Sequence, residues 1–341
     1  MKILVGMSGG VDSAYAALKL MEEGHTVEGA VLLMHEYTEI SSAIQTAENL
    51  GIRLHIIDAK EKFSKTVIPN FIGEYVAART PNPCIICNSD VKFRLLKDFA
   101  VENGFDRIAT GHYAKILTVN CENEIRYAVG EAKDGKKDQS YMLWRLPQDI
   151  LAMTLFPLSK TEKRDTRAKS ALAALSVADK AESQEICFIP DGDYASYIEM
   201  SVGKCPPGNF VDEEGGVLGQ HKGIIRYTVG QRKGLGIALG VRSFVSKIDP
   251  VTNTVTLTSN LNERDELFIR DIVLSGTTQI DSKKTYKVRL RYQAKPLLCK
   301  VLDTGNGKAQ VKLEEKARVI TAGQSAVFYD GNAVVFGGFI E

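Results

Sequence analysis

The sequence predicts an α/β protein: a doubly wound, mainly parallel sheet at the amino terminus, then a small central domain and a carboxyl-terminal antiparallel β-barrel. Three observations support this prediction. Strand-like and helix-like segments alternate through the first half, glycine is frequent over residues 205–240, and polar and apolar residues alternate from about residue 241. We place the domain boundaries at 1–200, 201–262 and 263–341.

The alternation in the first half indicates individual elements. A capping box, Ser159 to Glu162, predicts a further helix over 159–176. An order of βαβα predicts a parallel sheet with helices on both faces and ligands at the carboxyl ends of the strands. Glycines close three of the helices, as is typical of helix C-termini: Gly24, Gly51 and Gly104. Strands are expected near 3–7, 26–33, 52–57 and 106–110, and helices near 12–23, 39–50, 64–77 and 89–103.

Composition is that of an ordinary globular protein. The 341 residues suffice for two or three domains with buried cores. Charged residues make up 25% and hydrophobic residues 44%, and no apolar run approaches the roughly 20 residues of a membrane span. The amino terminus lacks the layout of a signal peptide. We therefore expect a cytoplasmic protein whose six cysteines are mostly reduced thiols.

The stretch from Gly6 to Ser13, GMSGGVDS, lies between an apolar strand and a helix-like segment. This geometry directs backbone N–H groups and a helix N-terminus at an anion, and adjacent glycines let the backbone approach it closely. Asp12 would repel a bare phosphate, so its presence favours a Mg²⁺ ion bridging to phosphates. The plain alternative is a tight turn with a capping side chain. The G-K-[ST] ending of a Walker A loop is absent.

Two cysteine segments are the second unusual feature. Cys84 and Cys87 form a C-x-x-C pair within TPNPCIICN, which is compatible with half of a zinc site or with a redox pair. A structural zinc site usually needs a second such pair, and the sequence has none. Cys187 lies in the apolar, strand-like run EICFIP, where a buried core thiol is the plain interpretation.

Taken together, six motifs resemble one family. They occur in the family's order and span nearly the whole chain: GMSGGVDS, TPNPCIICN followed by VKF, ATGHYA, KDQSY, EICFIP and YTVGQRKGLG. The combination resembles the bacterial tRNA-specific 2-thiouridylases, within the PP-loop superfamily of N-type ATP pyrophosphatases. This resemblance implies ATP-dependent 2-thiolation of the wobble uridine of tRNA. AMP is transferred to the C2 oxygen with release of pyrophosphate, and sulfur then arrives from a cysteine persulfide.

The resemblance also assigns roles to residues. Cys87 takes the place of the nucleophile and Cys187 that of the persulfide carrier, with a disulfide between them on one route, whereas Cys84 is treated as non-catalytic. Leu32 stands where the family usually has methionine, and the following loop is shorter than usual. The implied ATP-binding positions are Gly6, Met7, Ser8, Gly9, Gly10, Val11, Asp12, Ser13, Leu32 and Gly111, with Mg²⁺ on Asp12.

The expected partners are tRNA and a sulfur-donor protein, and a monomer is the working expectation. Residues 220–236 and 283–300 carry cations without an acid, which favours a polyanion partner, although solvated strand faces are the plain alternative. His112 could equally be a core histidine, and Tyr292 an outward barrel residue. The positions implied to contact tRNA are Asn82, Pro83, Cys84, His112, Lys137, Asp138, Gln139, Arg291, Tyr292 and Gln324.

Two other functions compete with this interpretation. The first is a PP-loop ligase acting on a small carboxylate or a nucleotide, which would need neither the distant cysteines nor the basic segments. The second is a non-catalytic RNA-binding module with a decayed loop, which predicts no ATP turnover. The intact Ser8, Asp12 and Ser13 argue against decay.

Overall fold

The structure is a computed structural model and describes residues 1–121, 124–166, 186–237 and 240–341. Five strands form a wholly parallel amino-terminal sheet: β1 Lys2–Gly6, β2 Thr26–Leu33, β3 Leu54–Asp58, β4 Arg107–Thr110 and β7 Thr154–Leu155. Their order is β3-β2-β1-β4-β7, so the winding reverses between β1 and β4. This confirms the predicted doubly wound sheet and places its switch point beside the Gly6–Ser13 loop.

Seven α-helices lie wholly within the described residues: α1 Val11–Glu22, α2 Ser41–Leu50, α3 Lys60–Val76, α4 Pro83–Ile86, α5 Phe93–Glu102, α6 Gln148–Leu151 and α7 Tyr194–Val202. A π-helix over Cys87–Lys92 joins α4 to α5, so the helical stretch begins at Pro83 and not near residue 89. Asn82 caps it and Pro83 fits its first turn, which explains the earlier start.

The helix expected over 159–176 does not begin at Ser159. Pro157 starts a short 3₁₀ turn, Pro157–Lys160, which takes up Ser159. Thr161 is then extended, with φ −101° and ψ 138°, and a new helical turn begins at residue 163. The capping-box prediction was therefore wrong at its start, because a proline-initiated turn precedes the helix. The remainder, 167–176, lies outside the described residues.

A small central sheet separates the two larger parts. Its strands, in the order β10-β11-β8-β9, enclose a core around Phe210, Val245 and Val255. The alternating segment at Val255 therefore belongs to this sheet and not to the barrel. The strands are β8 Gly208–Val211, β9 Val217–His221, β10 Phe244–Asp249 and β11 Thr254–Thr258.

The carboxyl-terminal part is a closed, six-stranded antiparallel barrel, as predicted. Its strands are β12 Arg264–Leu274, β13 Tyr286–Arg289, β14 Leu297–Gly305, β15 Lys308–Ala317, β16 Ser325–Asp330 and β17 Ala333–Ile340. Pairing of β12 with β17 closes it. A hairpin that the sequence did not predict, β5 Lys115–Cys121 and β6 Glu124–Gly130, extends from the amino-terminal part to β17.

The amino-terminal part and the barrel share a buried interface. The only tryptophan of the chain, Trp144, is fully buried and donates its indole N–H to the Ser325 hydroxyl at 3.0 Å. Gly337 of β17 permits this packing, since a Cβ there would lie 2.5 Å from the indole ring. The Tyr141 hydroxyl donates to the Ser325 carbonyl at 2.9 Å. These contacts hold the barrel in place beside the sheet.

Within the described part of the chain, no helix has both the length and the apolar character needed to cross a membrane.

Candidate active site

The loop after β1 is held closed by its own serines. The Ser13 hydroxyl donates to the Gly10 carbonyl at 2.9 Å and accepts the Ser8 N–H at 3.2 Å. Gly9 adopts a positive φ of 69°, which favours glycine. Gly10 caps α1 without a side-chain hydrogen bond, so the first-turn N–H groups of the helix remain for an anion. These features fit the phosphates of a nucleotide.

Gly111, directly after β4, completes this corner of the sheet. A Cβ at Gly111 would lie 2.6 Å from both the Asp12 carbonyl carbon and the Ser13 nitrogen. The chain after β4 therefore packs on the first turn of α1, at the switch point where doubly wound sheets bind ligands. Leu32 is buried in neighbouring β2. The proposed ATP-binding positions thus lie on adjacent strands and the turns that follow them.

Asp12 is already engaged by other side chains. The Lys163 ammonium lies 2.7 Å from Oδ1 and 2.6 Å from Oδ2 of Asp12. The Tyr113 hydroxyl donates to the same Oδ1 at 2.8 Å. The described residues contain no cluster of three or more potential metal-ligating side chains. Mg²⁺ commonly binds through one or two carboxylates plus substrate phosphates and water, and Asp12 supplies a carboxylate of this kind beside the nucleotide loop.

The helical stretch at residues 83–92 contains Cys84 and Cys87, two of the three cysteines that the sequence analysis singled out. The Asn82 side-chain oxygen accepts the Cys84 N–H at 3.2 Å, and Cys84 is exposed on the first turn. Cys87 begins the π-helix and is buried. Its Sγ lies 3.6 Å from Sδ of Met34, which follows the last residue of β2. Cys87 is therefore at the carboxyl edge of the sheet, the edge that carries the nucleotide loop.

Cys187 lies neither in a strand, as its apolar run indicated, nor in the core, which was the plain alternative to a functional role. Residues 186–190 form turns, with the Ile189 N–H donating to the Ile186 carbonyl at 2.9 Å. The apolar character of the run is explained by Phe188, whose ring packs 5.4 Å from Phe63 and 5.3 Å from Phe71. Anchoring by Phe188 leaves Cys187 exposed.

The two catalytic candidates are close enough for their charges to interact. Burial raises the pKa of Cys87 to about 11, Lys92 opposes this rise, and charge on Cys84 or Cys187 adds to it. Although Cys187 as a whole residue is exposed, neighbouring protein groups desolvate its thiol and raise its pKa, an effect that Lys92 again opposes. The structure therefore places both thiols within the electrostatic influence of the same residue, Lys92, although they are one hundred positions apart in sequence. All six cysteines are described and free, so the Cys87–Cys187 disulfide is not formed here.

Lys92 is a functional candidate that the sequence analysis missed, although VKF was part of the resemblance. It ends the π-helix that Cys87 begins, and it is half-buried. Burial alone would lower the pKa of Lys92, and negative charge on Cys87, Cys84 and Cys187 raises it above the ordinary value. No carboxylate of the described residues forms an ion pair with it. Cys87 and Lys92 are five positions apart, the repeat of a π-helix, and an α-helical pattern in the sequence does not predict that residues at this spacing act together.

The segment before the cysteines lies where the three domains meet. The Gln324 side-chain amide donates to the Thr80 carbonyl at 2.7 Å, and the Thr80 N–H donates to the Ala322 carbonyl at 2.8 Å. The Thr80 hydroxyl donates to the Thr228 hydroxyl at 3.2 Å. Residues Asn82 to Cys84 therefore follow directly on contacts with both the barrel and the central domain. Pro83 is buried in the first turn of α4.

The KDQSY motif makes structural contacts. Asp138 is only 5% exposed, and its carboxylate accepts hydrogen bonds from the Ala132 N–H at 2.9 Å and from Arg289 of the barrel at 2.9 Å. Gln139 Oε1 accepts the Tyr113 N–H at 3.0 Å. The Asp138 carboxylate is thus turned into the protein. Lys137 is half-buried beside them.

The remaining tRNA candidates have mixed environments. His112 Nδ1 lies 2.8 Å from the Thr110 hydroxyl, and its ring packs against Phe93. Burial, aided by the charge of Lys92, lowers the pKa of His112 to about 3, so the ring is neutral near pH 7. This environment favours the core-histidine alternative. Arg291 is exposed, whereas Tyr292 is half-buried and its ring lies 6.2 Å from that of Tyr141.

Tertiary contacts neutralise part of the basic segments. Arg226 pairs with Glu199 at 2.9 Å, Lys284 with Asp330 at 2.5 Å, and Arg289 with Asp138. Several exposed cations in these segments form no ion pair with a described residue: Lys222, Arg232, Lys233, Lys283, Lys287, Arg291, Lys295 and Lys300. Arg232 and Arg242 also line a cleft of about 490 Å³ in the central domain.

Comparison with known proteins matches three family models along the chain. They are described as a tRNA methyl transferase HUP domain over 1–191, a tRNA methyl transferase PRC-barrel domain over 195–259, and an aminomethyltransferase beta-barrel domain over 264–340. Among solved structures, a 4-thiouridine synthetase in complex with RNA and ATP matches with a TM-score of 0.35 and 16% identity, covering 58% of this chain and 50% of that chain.

Curated relatives match over the full length. The tRNA-specific 2-thiouridylase MnmA of Clostridium perfringens is 41% identical over 356 residues, covering 100% of this chain and 98% of the relative. The enzyme of the same name from Acetivibrio thermocellus is 42% identical over 358 residues, covering 100% of this chain and 99% of the relative. The chain belongs to the tRNA-specific 2-thiouridylase family.

Proposed function

We propose that this protein catalyses ATP-dependent 2-thiolation of the wobble uridine of tRNA, with Cys87 and Cys187 as the sulfur-handling residues. The observations that carry the proposal are that Cys87 lies beside Met34 at the carboxyl edge of the sheet, where the nucleotide loop also lies, and that the charge of Lys92 acts on both the Cys87 and the Cys187 thiols. Family membership supports the same activity. Neither thiol is required by the competing ligase, and an RNA-binding module would need neither the thiols nor the loop.

The nucleotide supplies activation: AMP on the C2 oxygen turns a poor leaving group into a good one. The chain's own contribution is binding and charge stabilisation. The uncapped N–H groups of α1 and the Ser8 hydroxyl face the place where pyrophosphate charge would develop. We assign Mg²⁺ to Asp12, where it would neutralise the same charge.

Two routes deliver the sulfur. In the first, the terminal sulfur of a Cys187 persulfide attacks C2 and displaces AMP. The Cys87 thiolate then attacks Sγ of Cys187 and releases the thiocarbonyl. In the second, Cys87 attacks Cys187 first and frees hydrosulfide, which attacks C2. Both routes end with a Cys87–Cys187 disulfide that an external thiol must reduce. Lys92 assists either route because its charge favours the thiolate forms.

The macromolecular partners follow from this chemistry. A wobble uridine must leave its stack to reach thiols at a domain junction, so base flipping is expected. Exposed cations such as Lys287, Arg291 and Lys295 would contact the tRNA backbone. The exposed position of Cys187 allows a sulfur-donor protein to load the persulfide. A protein acting on tRNA with reduced thiols fits the cytoplasm.

The decisive test is to incubate the protein with tRNA, ATP, Mg²⁺ and a sulfide source, and to analyse the tRNA nucleosides by mass spectrometry. The expected product is wobble uridine with one oxygen replaced by sulfur, with AMP formed in equal amount. ATP cleavage unaffected by tRNA would favour the ligase. ATP-independent tRNA binding without turnover would favour the RNA-binding module. Either result would overturn the proposal.

A further inference from the structure

The motif YTVGQRKGLG forms a loop of the central domain, residues 227–236, that the proposed chemistry does not use. Tyr227 is buried in the core of that domain. The Gln231 side chain braces the loop, since its Oε1 accepts the Thr228 N–H at 3.0 Å and its Nε2 donates to the Lys233 carbonyl at 3.0 Å. Three glycines with a positive φ shape its bends: Gly230, Gly234 and Gly236. The 227–236 loop therefore has a defined conformation.

The 227–236 loop contacts both of the other domains. The Thr228 hydroxyl accepts a hydrogen bond of 3.2 Å from the hydroxyl of Thr80, in the segment before the cysteines. On the barrel side, a Cβ at Gly230 would lie 2.9 Å from the side chain of Val319. The loop is therefore held against the junction at which the target uridine is expected to enter.

Two cations of this loop, Arg232 and Lys233, are exposed. Neither side chain has an ion-pair or hydrogen-bond partner among the residues that the structure describes. Between Glu214 and Asp249 the sequence contains no acidic residue. Arg232 is four positions from Thr228, so the chain keeps their Cα atoms within about 14 Å of each other. The loop thus carries uncompensated positive charge near the segment before the cysteines.

A cleft of about 490 Å³ adjoins the loop. Arg232, Arg242 and Leu235 are among the residues that line it, and its described lining includes no carboxylate. Guanidinium groups bind phosphate oxygens through paired hydrogen bonds. The volume lies within the range of pockets that hold a small organic ligand, roughly 300–1,000 Å³. The cleft therefore fits a phosphate ester such as one nucleotide of an RNA strand.

We propose that the 227–236 loop and Arg242 form a phosphate-binding site for the RNA backbone beside the target uridine. Arg232 and Arg242 bind phosphodiester groups within two nucleotides of the wobble position. The Thr228–Thr80 contact keeps this site at a set distance from the cysteines. Flipping a base out of its stack reorients the backbone on both sides of it, and cations placed there stabilise the flipped form. This inference rests on the proposed tRNA substrate and deepens it.

The test uses an anticodon stem-loop RNA in which single phosphates are replaced by uncharged methylphosphonates. With wild-type protein, replacement at one of the four linkages nearest the wobble uridine should weaken binding about tenfold, as expected for one lost charge-assisted contact. Arg232→Gln/Arg242→Gln should bind the unmodified RNA about 10- to 100-fold more weakly. The same methylphosphonate should then have no further effect, because its partner is already absent. Fluorescence anisotropy measures both dissociation constants.

Arg53→Gln is the matched control. Arg53 is also exposed without an ion pair to a described residue, but it precedes β3 at the amino edge of the parallel sheet. This variant should bind like wild type, and Arg232→Lys should retain most of the affinity because it keeps the charge. Thermal unfolding checks that each variant is folded. A double variant that binds like Arg53→Gln, or that keeps the full methylphosphonate effect at these linkages, would overturn the proposal.

Failure of this inference and failure of the proposed function give different results. If wild-type protein neither binds tRNA nor adds sulfur to it, the proposed function fails. If wild-type protein binds and thiolates tRNA while Arg232→Gln/Arg242→Gln behaves like Arg53→Gln, only the phosphate-binding role of the 227–236 loop fails.

Discussion

The Gln324 side chain of the barrel donates a hydrogen bond of 2.7 Å to the Thr80 carbonyl, seven positions before Cys87. The adjoining Ala322 carbonyl accepts the Thr80 N–H at 2.8 Å. The barrel thus holds the chain that leads into the cysteine helix. The position of the barrel and that of the Cys87 segment are therefore linked through one main-chain residue, Thr80.

Gly323 tests this link. It has a φ of +86°, and a Cβ there would lie 2.8 Å from the Thr80 nitrogen. Gly323→Ala should therefore displace the 80–87 segment and lower kcat/KM for tRNA thiolation about tenfold or more, the equivalent of roughly 1–3 kcal/mol of overpacking. The measurement is initial-rate thiolation at several tRNA concentrations.

Gly331→Ala is the matched control for that variant. Gly331 also has a positive φ, of 60°, but a Cβ there meets no atom within 4 Å. Both substitutions carry a similar backbone strain, on the order of 1 kcal/mol, so Gly331→Ala shows the effect of that strain without the clash at Thr80. Equal kcat/KM values for the two variants would show that the Thr80 contact does not position the cysteines.

The three neighbouring thiols should differ in function. Cys87→Ser and Cys187→Ser should each lower thiolation by a factor on the order of 10³ or more, because each removes a reacting sulfur. Cys84→Ala should retain near wild-type activity, although its charge acts on both other thiols. Quantifying 2-thiouridine by mass spectrometry checks all three, and full activity of either serine variant would contradict the assignment.

Lys92 should set the pH dependence of thiol reactivity. Its charge lowers the pKa of Cys87 and Cys187, so Lys92→Met should raise both pKa values. At a pH below the pKa of a thiol, the fraction present as thiolate falls about tenfold for each unit by which that pKa is raised. In Lys92→Met, alkylation of Cys87 and Cys187 by iodoacetamide at fixed pH should slow about three- to tenfold, as mapped by peptide mass spectrometry. The pH profile of the alkylation rate should move to higher pH.

Lys92→Arg retains the charge and should restore the rates. Cys121 serves as an internal control, because it lies at the end of β5 and not in the cysteine helix, and its half-buried thiol should alkylate equally in all variants. Unchanged profiles at Cys87 and Cys187 in Lys92→Met would exclude this role.

Gly111 should limit nucleotide binding. A Cβ at this position would lie 2.6 Å from the backbone of Asp12 and Ser13 and would push the first turn of α1 away. Gly111→Ala should therefore raise the ATP dissociation constant about tenfold or more. Gly135→Ala is the control, because a Cβ there meets no atom within 4 Å. Titration calorimetry that gives equal affinities for both variants would refute the close-packing argument.

Exposed and paired lysines of the barrel should differ in their effect on tRNA binding. Lys295 is exposed and forms no ion pair with a described residue, whereas Lys284 pairs with Asp330 at 2.5 Å. Lys295→Gln should reduce the slope of log affinity against log salt by about 0.7–0.9, the value for one phosphate contact. Lys284→Gln removes the same formal charge and should leave the slope unchanged. Filter binding between low and moderate salt checks both.

The sequence by itself determined the order of the architecture and the chemistry of its local motifs. A β-strand followed by GMSGGVDS, a glycine after each of three helices and period-two alternation near the carboxyl terminus are all local patterns, and local patterns report the secondary structure of their own segment. The doubly wound sheet, the nucleotide loop and the barrel were predicted on that basis.

Only the tertiary structure decided which distant residues meet. The pairing of Lys163 with Asp12 and the neutralisation of Arg289 by Asp138 each join residues 151 positions apart. Long-range contacts depend on how complete elements pack against one another, and no local pattern encodes them. The same reason explains why Cys187 lies in a turn, since burial of Phe188 in a distant aromatic cluster fixes that segment.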